Sequence, residues 1–379
     1  MSKFRGFCFA LTVLGYSTAG QAHYLGGSDG TDITPPMKAY FDELQSLQTD
    51  LGDSALAARG VVERFKLWPP GRHLEVCFFG GSDSLHQLFV EVSPKWLDGT
   101  SLTFDFGSAP QYRSCVASHT SDIRVAFAPA AGSWSYVGTD SLRYDLDKAS
   151  LNIGYASVPP LGSSVRTELE GTILHELGHA LGFEHEHQSP QANCDQEFDW
   201  PKIYNRYGML SGWSKDKIDF NFKALVASER LWTTAYDQKS IMHYYFEPWM
   251  FKKGTSSACF VGHNETLSDT DTSLIQAAYP GAVADQNKIL QERADAASEK
   301  LANLNLDANQ LSEVGVEIGR TLAAPPRELT LQFNLAPDLQ RGGPPPEITK
   351  CDPEGAVPAG VTCEVAKDGS GLFISVKPK

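Results

Sequence analysis

The chain has 379 residues, 41% hydrophobic and 21% charged, a balance that excludes a disordered polymer and allows a sizeable core. Its formal net charge of −14 leaves no basic surplus to neutralise phosphates, which argues against nucleic acid or an anionic membrane as partner.

In chain order, Lys3 and Arg5 precede the apolar run 6–15, and Gly20-Gln21-Ala22 offers small residues at a cleavage position. The pattern reads as a secretory signal over 1–22, cut after Ala22. That run is too short to span a bilayer and no other segment approaches the required length. The expectation is export, extracellular or periplasmic if the source is bacterial, with no membrane span. Residues 23–65 open on a Gly/Asp/Ser/Thr/Pro-rich stretch and continue with Tyr40, Leu44, Leu47 and Leu51 at helical spacing. They read as a propeptide or as an N-terminal arm.

Pro69-Pro70-Gly71 marks a turn before a strand over 73–79. Ser82 is placed to cap a helix whose Leu85, Leu88, Phe89, Val92 and Trp96 share a face. Strands are expected over 101–106, 123–127 and 151–155. A helix follows from about Arg166 to Leu181, with Leu169, Ile173, Leu174, Leu177 and Leu181 packed on one side.

That helix carries His175-Glu176-Leu177-Gly178-His179-Ala180-Leu181-Gly182-Phe183-Glu184-His185. Positions i and i+4 lie about 40° apart around a helix axis, so His175 and His179 project from one face. Two neutral imidazoles so placed can bind one metal ion, and Glu176 can reach a water on it without being a ligand. Gly182 can take a left-handed conformation, end the helix and return His185 as third ligand. Three protein ligands leave one position open, the pattern of a catalytic rather than a structural zinc ion. The competing reading, a helix with two unrelated histidines, does not account for Gly182 and His185.

Residues 186–240 have weak periodicity and read as irregular connections with a short helix near 215–225. A closing helix is expected over 274–279, ended by Pro280-Gly281. Composition then shifts: 282–304 reads as an exposed amphipathic helix, and 329–335 and 372–376 alternate as strands. The expected organisation is signal 1–22, N-terminal segment 23–65, catalytic domain 66–281, and a C-terminal extension 282–379 with a helix and a small β module.

Cys8 falls in the signal, leaving six cysteines in an exported chain, an even number that suggests disulfides. Sequence alone does not choose a connectivity. Sequential pairing, Cys77–Cys115, Cys194–Cys259 and Cys351–Cys363, keeps each bond within one lobe or domain. Asn264-Glu265-Thr266 is a glycosylation sequon, of consequence only in a eukaryotic host.

With Ser240-Ile241-Met242-His243-Tyr244 downstream of the eleven-residue motif, the chain resembles the metzincin zinc metalloproteases, most closely the astacin-like branch. The resemblance covers about 66–281. It implies an α+β, two-lobed protease domain with a mixed twisted sheet and a zinc-binding helix. It implies a secreted endopeptidase acting on protein or peptide, with one Zn2+ on His175, His179 and His185 and with Glu176 as general base. Met242 would form the hydrophobic floor under the metal. Tyr244 would alternate between weak fifth ligand and hydrogen-bond donor to the oxyanion. Glu186 would receive a freed N-terminus, or else is a solvated loop carboxylate; His187 reads as a loop histidine.

Gly132-Ser133-Trp134-Ser135-Tyr136-Val137-Gly138 resembles the family segment before the edge strand, which makes 151–155 the edge that pairs with extended substrate. The run His187–Cys194 and the cysteine positions depart from animal astacins. No cysteine in 23–65 can act as a matrixin-type switch; Asp29 or Asp53 could cap the metal in a latent form. The alternatives are a matrixin-like or amidase-type zinc hydrolase, or a non-catalytic binding protein on a protease scaffold. Oligomeric state is not legible.

Overall fold

The structure is a computed structural model that describes residues 61–63, 66–116, 121–142, 147–227, 231–233 and 235–303. It further describes 311–312, 315, 329–334, 348–351, 361–366 and 371–376. The signal, the Tyr40–Leu51 pattern and both candidate capping aspartates lie outside the described residues.

The chain enters as strand β1 (Val61–Glu63) and crosses to β2 (His73–Phe79), the run expected from sequence. Helix α1 (Asp83–Val92) follows, with Ser82 accepting from Leu85 N and with Leu85, Leu88, Phe89 and Val92 buried. A 3-10 turn then carries the buried Trp96. Strands β3 (Thr103–Asp105), β4 (Gly107–Ser108), β5 (Gln111–Tyr112), β6 (Ile123–Ala126), β7 (Trp134–Ser135) and β8 (Leu151–Asn152) complete the upper lobe. β4 and β5 form a separate hairpin, and the main sheet runs β3-β2-β6-β8-β7. Its pairings are parallel except β7 on β8.

This order corrects the expectation that 151–155 is the edge. β8 pairs on both sides, with Val125↔Leu151 and Ser135↔Leu151, and β7 is the edge beyond it, opposite the β3 edge. Which of two short strands is outermost is a matter of non-local pairing, which local composition does not encode.

Helix α2 (Ser164–Ala180) is capped by Ser163, which accepts from Arg166 N, and buries Leu169, Ile173, Leu174 and Leu177. Two tryptophans fasten it: Trp96 Nε1 donates to Leu174 O and Trp68 Nε1 donates to Ala180 O, each at 2.8 Å. β1 lies upstream of the boundary expected at residue 66, yet Val61 and Val62 are buried. It pairs with β9 (Leu231–Thr233), and Val62 also bridges to Phe183. A three-residue strand is too short to register in a hydrophobicity pattern.

The lower lobe has its own core, built from Phe198, Phe222, Phe246, Met250 and Phe251 around the Cys194–Cys259 disulfide. It contains α3 (Cys194–Glu197), α4 (Trp200–Ser211) and α5 (Lys215–Phe222). Only the last of these is expected from the sequence. The signals for α4 are nonetheless present: Asp199 caps Lys202 N, Pro201 sits in the first turn, and Gly212 ends the helix at φ 67. Its inward face is only Ile203 and Tyr207, while Met209 and Leu210 are exposed, so the apolar period is blurred.

The closing helix α6 (Asp269–Ala278) begins earlier than expected because Ser268 and Asp271 form a capping box. α7 (Val283–Asn303) leads to an antiparallel sheet of β10 (Leu329–Asn334), β11 (Ile348–Lys350), β12 (Val361–Ala366) and β13 (Gly371–Val376), ordered β10-β13-β12-β11. All three expected disulfides form. Among the described residues no helix is long and apolar enough to cross a membrane.

Candidate active site

α2 ends at the site by a mechanism visible atom by atom. Gly182 takes φ 102, Gly182 N donates to His179 O, and Phe183 N donates to Gly178 O. These are the two bonds of a Schellman motif, and they turn the chain back within three residues. His185 thereby returns to the two histidines on the helix. His179 Nε2 lies 3.2 Å from His175 Nε2 and 3.1 Å from His185 Nε2. This is the one cluster of histidine, cysteine or acidic side chains among the described residues that can hold a metal ion.

The opposite ring nitrogens decide the protonation. His175 Nδ1 donates to Ile241 O at 2.7 Å, and His179 Nδ1 donates to Phe183 O at 2.8 Å. His185 Nδ1 donates to Gln188 Oε1 at 3.0 Å. A neutral imidazole that donates from Nδ1 carries a lone pair at Nε2. Burial favours the neutral form of two of the rings: it pushes His175 down to about 4 and His185 well below the usual imidazole range, helped at His185 by the neighbouring rings. Three Nε2 atoms therefore gather, with His179 Nε2 at 3.2 and 3.1 Å from the other two, an arrangement that can hold a cation. Ligand bonds of about 2.0–2.1 Å in a tetrahedron place nitrogens about 3.3 Å apart, so the spacing fits one zinc ion.

Glu176 is 4% exposed, and its Oε2 has no hydrogen-bond partner among the described residues. Burial raises its pKa well above the ordinary carboxylate value. A cation in the triad acts in the opposite direction and favours the carboxylate.

The segment 240–244 passes beneath. Met242 is buried against α2 at Gly178, where an added Cβ would overlap the Met242 sulfur and lie 2.9 Å from Trp96 Cζ2. Glycine in a helix interior costs about 1 kcal/mol relative to alanine, so its presence here is explained by that close approach. Gly178→Ala is accordingly expected to destabilise the protein by about 1–2 kcal/mol despite alanine's better helix propensity. Thermal unfolding of the parent chain, both single variants and the double variant checks this, because Gly178→Ala should cost less in the Met242→Ala background, where the obstructing side chain is gone. Tyr244 packs its ring centroid 4.4 Å from that of His185 and 5.5 Å from that of His175.

Glu186 is buried rather than a solvated loop carboxylate. Its Oε1 accepts from Asp237 N at 2.8 Å, and burial pushes it up to about 8. His187 stays out of the triad and donates from Nε2 to Asn221 O. The sequon residue Asn264 spends both side-chain hydrogens on Gln238 O and Ser240 O, each at 2.9 Å, so its amide braces the turn.

Sequence reasoning misses three supporting residues. Gln188 follows the third histidine closely, and only its distance of three residues hints at the contact. Asp271 accepts from Ser240 Oγ and Ile241 N, fastening the turn to α6 from 30 residues away. Gly178 is visible as a helix-interior glycine between two histidines of the triad.

Known proteins resemble parts of this chain. The family model described as Astacin, a peptidase family, matches residues 113–280. The zinc metalloproteinase nas-2 of Caenorhabditis elegans is 32% identical over 96 residues, 25% of this chain and 27% of that protein. Its relative nas-12 from the same organism is 32% identical over 116 residues, 31% of this chain and 23% of that protein. The chain thus spans about a quarter of the length of these curated relatives. Myroilysin, a solved structure, is 34% identical over all of its chain and 59% of this one, with a TM-score of 0.49. The matched stretch runs from ahead of the edge strand, through the three histidines and the Met242–Tyr244 turn, to the end of the closing helix, and over residues 113–280 the chain matches the astacin peptidase family.

Proposed function

We propose that the protein is an exported zinc endopeptidase that hydrolyses peptide bonds of protein or peptide substrates. The observation that carries this reading is the triad of Nε2 lone pairs, each fixed by a donated Nδ1 hydrogen, beside a buried carboxylate with an unpaired oxygen. His175, His179 and His185 would hold the ion. When bound, zinc lowers the pKa of a coordinated water towards about 7 and polarises a carbonyl.

Glu176 does the proton work. Its carboxylate takes a proton from the attacking water as the water oxygen bonds to the carbonyl carbon. It then delivers that proton to the amide nitrogen as the C–N bond breaks. Tyr244, with its ring against two of the ligands, donates its phenolic hydrogen to the developing oxyanion. Met242 keeps the floor of the site apolar. Extended substrate pairs along the free side of β7, where edge N–H and C=O groups supply the register. Glu186, buried beneath the site and pushed towards neutrality, is suited to receive a positive terminus or to remain protonated.

Residues 1–22 act as the export signal. Cleavage is expected near Ala22, with 66–281 as the protease unit joined by β1, and 282–379 as an appended module. The exported location agrees with the three disulfides.

The test is cleavage of denatured casein by the purified protein. Activity should vanish on treatment with a chelator and return on addition of one equivalent of zinc. Activity untouched by a chelator that demonstrably removes the metal would reject the reading.

A further inference from the structure

We infer that Gln188 is a positioning residue for the third metal ligand, a role that rests on the zinc reading above. The first two ligands are oriented by main-chain carbonyls, Ile241 O and Phe183 O, which no side-chain substitution removes. The third depends on a side chain: His185 Nδ1 donates to Gln188 Oε1 at 3.0 Å.

The direction of that amide is settled by its other end. Gln188 Nε2 donates to Phe220 O at 2.9 Å and to Lys223 O at 3.1 Å. With both amide hydrogens spent on carbonyls, Oε1 must be the atom facing His185. The main chain closes the same knot, since Gln188 N donates to His185 O and Leu225 N donates to Gln188 O. The residue is buried, so water does not replace the acceptor readily. Gln188 thus fixes the tautomer that leaves His185 Nε2 unprotonated, and it ties the metal loop to the end of α5.

A merely structural role, anchoring α5 through its two donated hydrogens, makes a different prediction, and two variants separate them. Gln188→Met removes the acceptor and both donors. Gln188→Glu keeps an oxygen for His185 Nδ1 but loses both donors. The zinc dissociation constant, measured by chelator competition, should rise about 10–100-fold in Gln188→Met, the usual effect of removing a partner of a ligating histidine. In Gln188→Glu it should stay within about threefold of the parent chain, because a carboxylate also raises ligand basicity. Both variants should lose thermal stability. The visible spectrum of the cobalt-substituted protein should change in the Met variant and persist in the Glu variant.

Equal weakening in both variants, or none in Gln188→Met, would overturn the inference while the zinc reading stands. Should the Met variant not fold, a roughly tenfold loss in Gln188→Glu alone overturns it. A parent chain that binds no zinc at all defeats the reading of the site itself.

Discussion

Replacing Glu176 by Gln should leave zinc bound at one ion per chain and reduce kcat/KM by about a thousandfold or more, within or beyond the roughly 10²–10⁴ usual for a general base. Each tenfold is about 1.4 kcal/mol of transition-state stabilisation, so the loss amounts to at least about 4 kcal/mol. The site explains why the effect should be confined to chemistry. Glu176 is not among the three ligands, and its Oε2 has no partner whose loss would disturb the fold. Glutamine has the same shape, fits the same 4% exposed position, and carries no charge to desolvate. Thermal stability of the metal-free variant should therefore be no lower than that of the parent chain. The measurement is casein or peptide turnover beside metal content and melting temperature. A variant that keeps a tenth of the activity with its zinc in place would remove Glu176 from the role of proton carrier. A variant that loses its zinc would make it a ligand instead.

The parts of the site legible in the sequence are those that a single helix and its terminus determine. His175, Glu176 and His179 are set by helical spacing, and Gly182 announces the reversal that returns His185. Local chemistry and local geometry coincide there, so eleven residues suffice. The sheet is different. β7 and β8 are two-residue strands, and only the pairing of Ser135 with Leu151, across 16 positions, makes one an edge and the other interior. Helix α4 shows a third limit. Its caps follow rules, but its buried face is two residues wide and its exposed face carries Met209 and Leu210, so hydrophobic periodicity points nowhere. The residues that orient the ligands are harder still. Ile241 O serves His175 across 66 positions, and nothing in either segment encodes that contact. Two of the three orienting acceptors are main-chain carbonyls, which carry no side-chain signature at all.

That dependence on distant support gives the second large effect. Asp271→Ala should destabilise the protein by about 3–5 kcal/mol and weaken zinc binding at the same time. Asp271 is 1% exposed and accepts from Ser240 Oγ at 2.7 Å, Ile241 N at 2.8 Å and Ser268 N at 2.9 Å. Alanine leaves these donors buried without a partner, and donors to a charged acceptor are each worth about 1.5–3 kcal/mol, less when they share one carboxylate and its burial cost is recovered. Burial already raises the Asp271 pKa, so the three bonds work against a desolvation penalty rather than adding freely. The consequence for the metal follows from where those donors sit. Ile241 supplies the carbonyl that orients His175, and Met242, one residue on, fills the space against Gly178. Loosening residues 240–242 should cost the first ligand its orientation as well as the domain its stability. Asp271→Asn should fall between, since its one oxygen can still accept from Ile241 N and Ser268 N while its amide NH2 must face Ser240 Oγ, which then has to accept rather than donate. Chemical denaturation and chelator competition on the same preparations check both halves. A stability loss with unchanged zinc affinity would mean that the turn is held without α6, by Glu186 N donating to Met242 O and by Asn264 donating to Ser240 O.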